Sequence, residues 1–173
     1  MSNFDPTKYG PALAELIASA EPMSLDAGDA DIANRPALSA LSLESTFEHV
    51  SIVDTDMARC CLSGVWLLHN FLDESHTISQ GISTPSGSYW HGIMHRREGD
   101  YSNAKYWMRR VGEHPVFDEM AEHSHNWDPF SFVDDCERAV GSGNQAEISP
   151  LRSQQHLEWQ MLFDFCYQAA VGR

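Results

Sequence analysis

Signals for the start and end of helices recur along nearly the whole chain, and they constrain its fold more than any other feature. Pro11 and Pro115 stand where the first turn of a helix tolerates proline, Asp100 can cap another helix, and Gly112 can end it. No stretch alternates apolar and polar residues over a useful strand length. The sequence therefore predicts an all-α fold, a single-domain helical bundle of about four longer helices plus short helices.

The domain organisation follows from length and from the same boundary signals. The 173 residues suit one domain. Residues 1–45 are predicted to form an N-terminal helix and a connector that pack on the bundle. One long helix is expected from about Asp54 past His76, and Gly141 is expected to close the helix that opens at Asp128-Pro129. A last, central helix is expected to begin at Ser149-Pro150.

The charge distribution bounds the kinds of partner. The net charge is −14, which argues against general nucleic-acid binding because that function needs a basic footprint. Five of the eleven basic residues nevertheless fall between Arg96 and Arg110. A positive segment on an acidic body suits a small anionic ligand. The alternative is that two exposed helices are basic by chance.

The cysteines and the apolar runs indicate the compartment. The four cysteines, which include the adjacent pair Cys60 and Cys61, form no C-x-x-C motif and are expected to be buried thiols. No apolar run has the length of a membrane span, and the N-terminus lacks the pattern of a secretory signal. We therefore expect a cytoplasmic protein without a membrane partner. The oligomeric state, a homodimer included, stays open.

Histidines at helical spacing suggest a metal site. His91 and His95 are four residues apart, so a helix places both imidazoles on one face. His69 is the third predicted ligand, with Asp73 or Glu98 as alternatives, and the metal would be zinc, manganese or iron. His76 and Asp73 lie on the same predicted face as His69, and they belong either to a polar site or to a helix end that emerges into solvent.

Glu158 is a carboxylate on the apolar stripe of the last helix. Such a group has to be paired, protonated or bound to metal. One hypothesis makes Glu158 and His95 the catalytic acid–base groups. The alternative is a structural ion pair between Glu158 and one of the arginines.

The segment from Tyr89 to Arg110 combines aromatic rings with guanidinium and ammonium groups. Arginine forks bind carboxylates and phosphates, and rings stack on sugars and bases. The alternative is that Trp90 and Trp107 are core residues and that Arg109 and Arg110 are ordinary helix-end charges. The predicted ligand-binding residues are Trp90, His91, Arg96, Arg97, Asn103 and Lys105.

The stretch "SGSYWHGIMHRREGDYSNAKYWMRRVGEHPVF" resembles a segment shared by a group of uncharacterised bacterial proteins. The segments "LHNFLDESHTISQ" and "EWQMLFDFCY" are similar to that group too, which implies that the three segments form one unit. The arrangement of histidines on helices also resembles, at a distance, the DinB-type four-helix bundles. That resemblance implies a divalent metal bound through three histidines.

Three functions follow as hypotheses. The leading one is a polar pocket that binds a small anionic or polyhydroxylated metabolite, in which Arg96, Arg97 and Lys105 hold the anion and His95 or Glu158 moves a proton. The second is a divalent-metal-dependent enzyme with His69, His91 and His95 as ligands. The third is a protein-interaction module in which the aromatic rings form an exposed patch.

Overall fold

The structure, a computed structural model, describes residues 4–124 and 127–173. In these ranges it contains ten α-helices and a short 3-10 turn, Pro6–Tyr9, and no strand, which confirms the predicted all-α bundle. Four helices are clearly longer than the average of the others, as expected. The helices are α1 (Pro11–Ser19), α2 (Arg35–Ser39), α3 (Leu43–Thr46), α4 (Thr55–Leu68), α5 (Leu72–Ser79), α6 (Pro85–Glu98), α7 (Tyr101–Val111), α8 (Pro115–His123), α9 (Pro129–Ser142) and α10 (Gln145–Val171).

The helix starts that matter for the site are capped by side chains. The Thr84 hydroxyl accepts a hydrogen bond from the N–H of Gly87 at 3.1 Å and so begins α6. The Asp100 carboxylate accepts from the N–H of Asn103 at 3.2 Å and begins α7. Between them Gly99 ends α6 in the left-handed conformation, with φ of 89°, which costs glycine nothing. The cap predicted at Asp100 therefore exists, and Gly99 and Asp100 form a corner between α6 and α7.

The core lies where α4, α6 and α10 meet. Trp90 of α6 is fully buried, and its ring packs against Trp159 of α10 with ring centroids 6.3 Å apart. Gly64 of α4 allows this approach, since a Cβ there would lie 2.8 Å from the Trp90 ring. The Gly64 carbonyl also accepts a hydrogen bond from the Trp159 indole at 2.8 Å. Trp90, predicted to bind a ligand, is therefore a packing residue.

The single long helix expected after Asp54 is wrong, because the chain breaks between α4 and α5. His69 is the last residue of the first piece, and Asn70 adopts a left-handed conformation with φ of 63°. Asparagine tolerates that conformation better than most residues with a side chain. The N–H of Phe71 then bonds to the carbonyl of Trp66 at 3.0 Å, which turns the chain into α5. The break separates the directions of His69 and His76.

The other two boundary predictions also need correction. Helix α10 begins at Gln145, where the Asn144 side chain accepts from the N–H of Ala146 at 3.0 Å, so Pro150 lies inside the helix. Pro150 is the sixth residue of α10, so the helix lacks the backbone hydrogen bond that this position would donate to the carbonyl of Ala146. Helix α9 runs past Gly141 and ends at Gly143, whose φ of 64° suits a C-terminal cap.

The four cysteines are free and buried, as the sequence predicts. Burial raises the pKa of the Cys61 thiol, and the hydrogen bond to Cys166 followed by burial raises that of Cys60. Thiols in this environment are poor nucleophiles. Among the described residues, none of the helices combines the length and the apolar character that crossing a membrane requires.

Helix α8 depends on a buried neutral histidine, which makes the stability of the fold sensitive to acid. His114 accepts the N–H of Val116 at 3.2 Å and lies 3.1 Å from the Ser86 hydroxyl. Burial lowers its pKa to about 4. Between that value and the ordinary pKa of about 6.5, the unfolded chain binds a proton that the folded chain does not, so stability falls as the pH falls.

We expect this one group to remove about 2 kcal/mol from the free energy of unfolding between pH 7 and pH 5. Urea unfolding at the two pH values measures the loss. In His114→Asn the loss should be smaller by that amount, because asparagine keeps a capping acceptor and does not titrate. An equal pH dependence in the two proteins would contradict the role given to His114.

Candidate metal centre

Three histidines from two neighbouring helices come together on one side of the bundle. His76 lies on α5, and His91 and His95 lie one turn apart on α6. One ring nitrogen of each lies within 4.8 Å of the others. The ring centroids are 4.7 Å apart for His76 and His91, 5.4 Å for His76 and His95, and 4.6 Å for His91 and His95. Three imidazoles this close have the composition of a transition-metal centre.

The third histidine is not the one that the sequence predicts. His69 is buried elsewhere, with Nδ1 2.9 Å from an Asp31 carboxylate oxygen and Nε2 3.0 Å from the carbonyl of Leu16. Both ring nitrogens are therefore occupied, and His69 fastens the N-terminal connector to the end of α4. His76 occupies the position that was predicted for His69, because the break at Asn70 turns α5 toward α6. Its side chain is half-buried rather than in solvent.

His91 is the most enclosed of the three. It is 2% exposed, and its Nδ1 atom is buried without a hydrogen-bond partner among the described residues. Its ring stacks on Trp107 of α7, with centroids 3.9 Å apart and planes 16° from parallel. Burial, followed by the nearby His95 and His76, lowers the pKa of His91 to about 3. The imidazole is therefore neutral at pH 7, which is the form that binds a metal.

His95 has two polar neighbours. Its Nδ1 atom is 2.5 Å from a carboxylate oxygen of Glu98, one turn further along α6. The amide nitrogen of Asn103, on α7, lies 3.1 Å from Nε2 and 3.4 Å from Nδ1. The predicted ligand residue Asn103 therefore contacts the centre. Glu98, named only as an alternative metal ligand, is in direct contact with His95.

A second group of metal-ligand types shares His95 and adds Glu98 and Asp100. Its two carboxylates are exposed, and one of them already has a structural task. The N–H of Asn103 and the hydroxyl of Ser102 donate to Asp100, which lowers the pKa of that carboxyl. Exposed acidic side chains at a helix start are common without a metal. The three-histidine group is therefore the better candidate.

Arg96 and Glu158 form a buried ion pair instead of an anion site. Both side chains are fully buried, and the guanidinium contacts the two carboxylate oxygens at 2.5 Å and 3.2 Å. Tyr89 donates a third hydrogen bond to Glu158 at 3.0 Å, and Arg96 lies 4.6 Å from the ring centroid of Phe132. Burial opposes the charged form of Arg96, but Glu158 raises its pKa above the ordinary value. The expected catalytic role of Glu158 does not fit a fully buried, fully paired carboxylate.

Arg97 is also committed to the fold. It donates to the carbonyls of Leu67, Ala27 and Asp26 at 2.7, 3.1 and 3.2 Å, and to the side chain of Asn70 at 2.6 Å. Burial, with the neighbouring Arg96 second, lowers its pKa to about 9, so it stays charged at pH 7. Each of its three guanidinium nitrogens donates at least one hydrogen bond within the fold. The prediction that Arg96 and Arg97 hold an anionic ligand therefore needs correction.

The residues of the predicted pocket do not line one common cavity in the described part of the chain. Lys105 pairs with Asp134 on the surface and lines a shallow cavity of about 400 Å³ at the corner between α6 and α7. Another cavity, of about 530 Å³, lies between the N-terminal turn, α8 and α10, and contains none of the predicted site residues. Among the residues that the structure describes, His91, His95 and Asn103 are the predicted site residues that lie at the three-histidine group.

Comparisons of the chain with models of known protein families, with curated proteins and with solved structures found no match. The geometry of the described residues therefore carries the functional argument. His76 was not among the predicted metal ligands, because residue spacing alone does not show that it lies near His91 and His95. It lies with Asp73 and Glu74 in a polar helix, and the direction of that helix depends on the break at Asn70.

Proposed function

We propose that His76, His91 and His95 bind one divalent transition-metal ion and that the protein is a metal-dependent enzyme with an open coordination position. Three neutral imidazoles with a free fourth position are the ligand set of catalytic zinc sites. Imidazole also suits iron, which belongs to the predicted set of zinc, manganese and iron. The fourth position would hold water or a substrate oxygen, which the metal would polarise.

The observation that supports this proposal best is the buried nitrogen of His91. An unpaired buried polar atom costs about 1–3 kcal/mol, so native structures rarely leave one without a purpose. A metal bond to this nitrogen would remove that cost. Ligand nitrogens on one tetrahedral zinc lie about 3.4 Å apart, so the rings would need to approach by about 1 Å. The half-buried position of His76 at the rim favours such a movement.

The experiment is a metal titration of chelator-treated protein. We expect Co²⁺ and Zn²⁺ each to bind at one equivalent, with Co²⁺ giving the visible absorption of a low-symmetry site. His76→Ala should weaken binding by at least about 100-fold, because it removes one ligand in three. His76 is the ligand to replace first, since its partial exposure limits the damage to the core.

The matched control is His123→Ala, which removes an exposed histidine from α8. It should bind metal as the unchanged protein does. Binding of less than about a tenth of an equivalent by the unchanged protein, or equal affinities for the His76 and His123 variants, would refute the metal centre. The interaction module stays a prediction. Tyr106, on α7, is the one exposed aromatic ring in the segment from Tyr89 to Arg110, and it is 46% exposed.

A further inference from the structure

His95 differs from the other two histidines because a carboxylate holds it. Glu98 lies 2.5 Å from Nδ1, which is within hydrogen-bond distance. Its side chain is 40% exposed, so the carboxylate has access to water. An ionised carboxylate only accepts hydrogen bonds. In the neutral imidazole, the contact therefore places the hydrogen of His95 on Nδ1 and leaves Nε2 with its lone pair.

The neighbouring Asn103 does not use that lone pair. A donor on the lone pair of one ring nitrogen would lie about 5 Å from the other nitrogen, because the two lone pairs diverge across the ring. The Asn103 nitrogen lies 3.1 Å and 3.4 Å from the two atoms, so it is over the ring or beside the carbon between them. The distances alone suggest a hydrogen bond to Nε2, but the directions do not. Asn103 therefore leaves the Nε2 lone pair of His95 available to a metal.

We infer that Glu98 is the positioning residue of the metal centre, which fixes the protonated Nδ1 of His95 and directs its Nε2 to the metal. This inference rests on the proposed function. Histidines that bind metals commonly donate their second N–H to a carboxylate, which fixes the ring and strengthens the metal bond. Among the described residues, His76 and His91 have no such carboxylate on either ring nitrogen.

The same geometry makes Glu98 a neighbour of the metal rather than a ligand. If Glu98 and Asp100 bound the metal directly, Glu98 would lose its hydrogen bond to His95. Asp100 would no longer cap α7. Gly99 then matters because its left-handed turn ends α6 directly after Glu98 and leaves the carboxylate in the last helical turn. Glu98 stays three residues from His95, on the same face of the helix.

The experiment compares Glu98→Ala, Glu98→Gln and Glu137→Gln. Glu137 is an exposed carboxylate on α9 without an ion-pair partner among the described residues, so the control removes the same charge. We expect Glu98→Ala to weaken Co²⁺ and Zn²⁺ binding by about 10- to 100-fold. Glu98→Gln should lose only a few-fold, because its amide oxygen still accepts from Nδ1, and Glu137→Gln should bind as the unchanged protein does.

Two readings separate positioning from other roles. Nitrogen-15 NMR of the metal-free protein should find His95 protonated on Nδ1, and in Glu98→Ala a mixture of the two neutral forms. The Co²⁺ absorption at saturation should keep its shape in Glu98→Ala, since no ligand is lost. Equal affinities of Glu98→Ala and the control, or a changed cobalt spectrum that marks Glu98 as a ligand, would overturn the inference. A failure of the unchanged protein to bind metal would instead overturn the proposed function, and the inference with it.

Discussion

Replacement of Glu158 by alanine should lower the free energy of unfolding by about 3–5 kcal/mol. The reason is that Arg96, which is fully buried, would lose its only carboxylate partner among the described residues. The Tyr89 hydroxyl would lose its acceptor at the same time. Urea unfolding, followed by circular dichroism at pH 7, measures the change. A loss of this size is a large part of the stability of an ordinary domain.

Two variants keep this prediction decisive if Glu158→Ala does not fold. The double variant Arg96→Met, Glu158→Leu removes both charges and should recover most of the stability, because buried pairs can be replaced by apolar residues at little cost. Asp134→Ala breaks the exposed pair with Lys105 and should cost less than about 1 kcal/mol. A Glu158→Ala protein as stable as Asp134→Ala would show that the buried pair does not stabilise the fold.

Replacement of Arg97 by alanine should cost about 3 kcal/mol or more, and its effect should be local. Hydrogen bonds to charged groups contribute about 1.5–3 kcal/mol each, and Arg97 makes several to the connector before α2 and to the end of α4. Limited proteolysis followed by mass spectrometry should find new cleavage between residues 24 and 31. Urea unfolding gives the global loss.

The neighbouring helix supplies the control for Arg97. Arg109→Ala removes an exposed guanidinium from α7 and should stay within about 0.5 kcal/mol of the unchanged protein. Arg97→Lys should fall between the two, because an ammonium cannot reproduce the planar fork. Protection of residues 24–31 in Arg97→Ala equal to that in Arg109→Ala would contradict the proposed fastening.

The connector is in fact held by more than one side chain. Arg152 donates to the carbonyls of Pro22 and Met23, and the Gln155 amide donates to the carbonyl of Ser24. Gln155 also contacts Arg96 at 3.4 Å, so the buried ion pair and the connector belong to one hydrogen-bonded network. Loss of Arg97 should therefore loosen the connector without releasing all of it.

The fold could be predicted from the sequence because its signals are local. Caps such as Asp100 and proline at the start of α8 depend on neighbours within a few residues, and the structure bears them out. The break at Asn70 could not be predicted in the same way. A continuous helix fits the apolar spacing of Val65, Leu68 and Leu72 equally well, and only tertiary packing chooses the left-handed turn.

The site could be predicted only in part, and for a physical reason. His91 and His95 share a face on any helix, so their spacing was informative. The third histidine depends on the angle between α5 and α6, which follows from the break. Arginine and glutamate occur both in structural ion pairs and in active sites, so the residue types alone do not distinguish the two. The choice between them needed the distances between Arg96, Glu158 and their surroundings.

The three histidines also lie close together along the chain. His76 and His95 lie on consecutive helices, α5 and α6, which are joined by one short loop. Closing so short a loop costs little conformational entropy, so the ligands can meet before α10 packs against α4. A metal ion at the proposed centre would therefore bind the partly folded chain and act as an early nucleus. Because the centre can form this early, most of the stabilisation by the metal should appear as faster folding rather than as slower unfolding. Any affinity of the unfolded chain for the metal would lower the gain in stability.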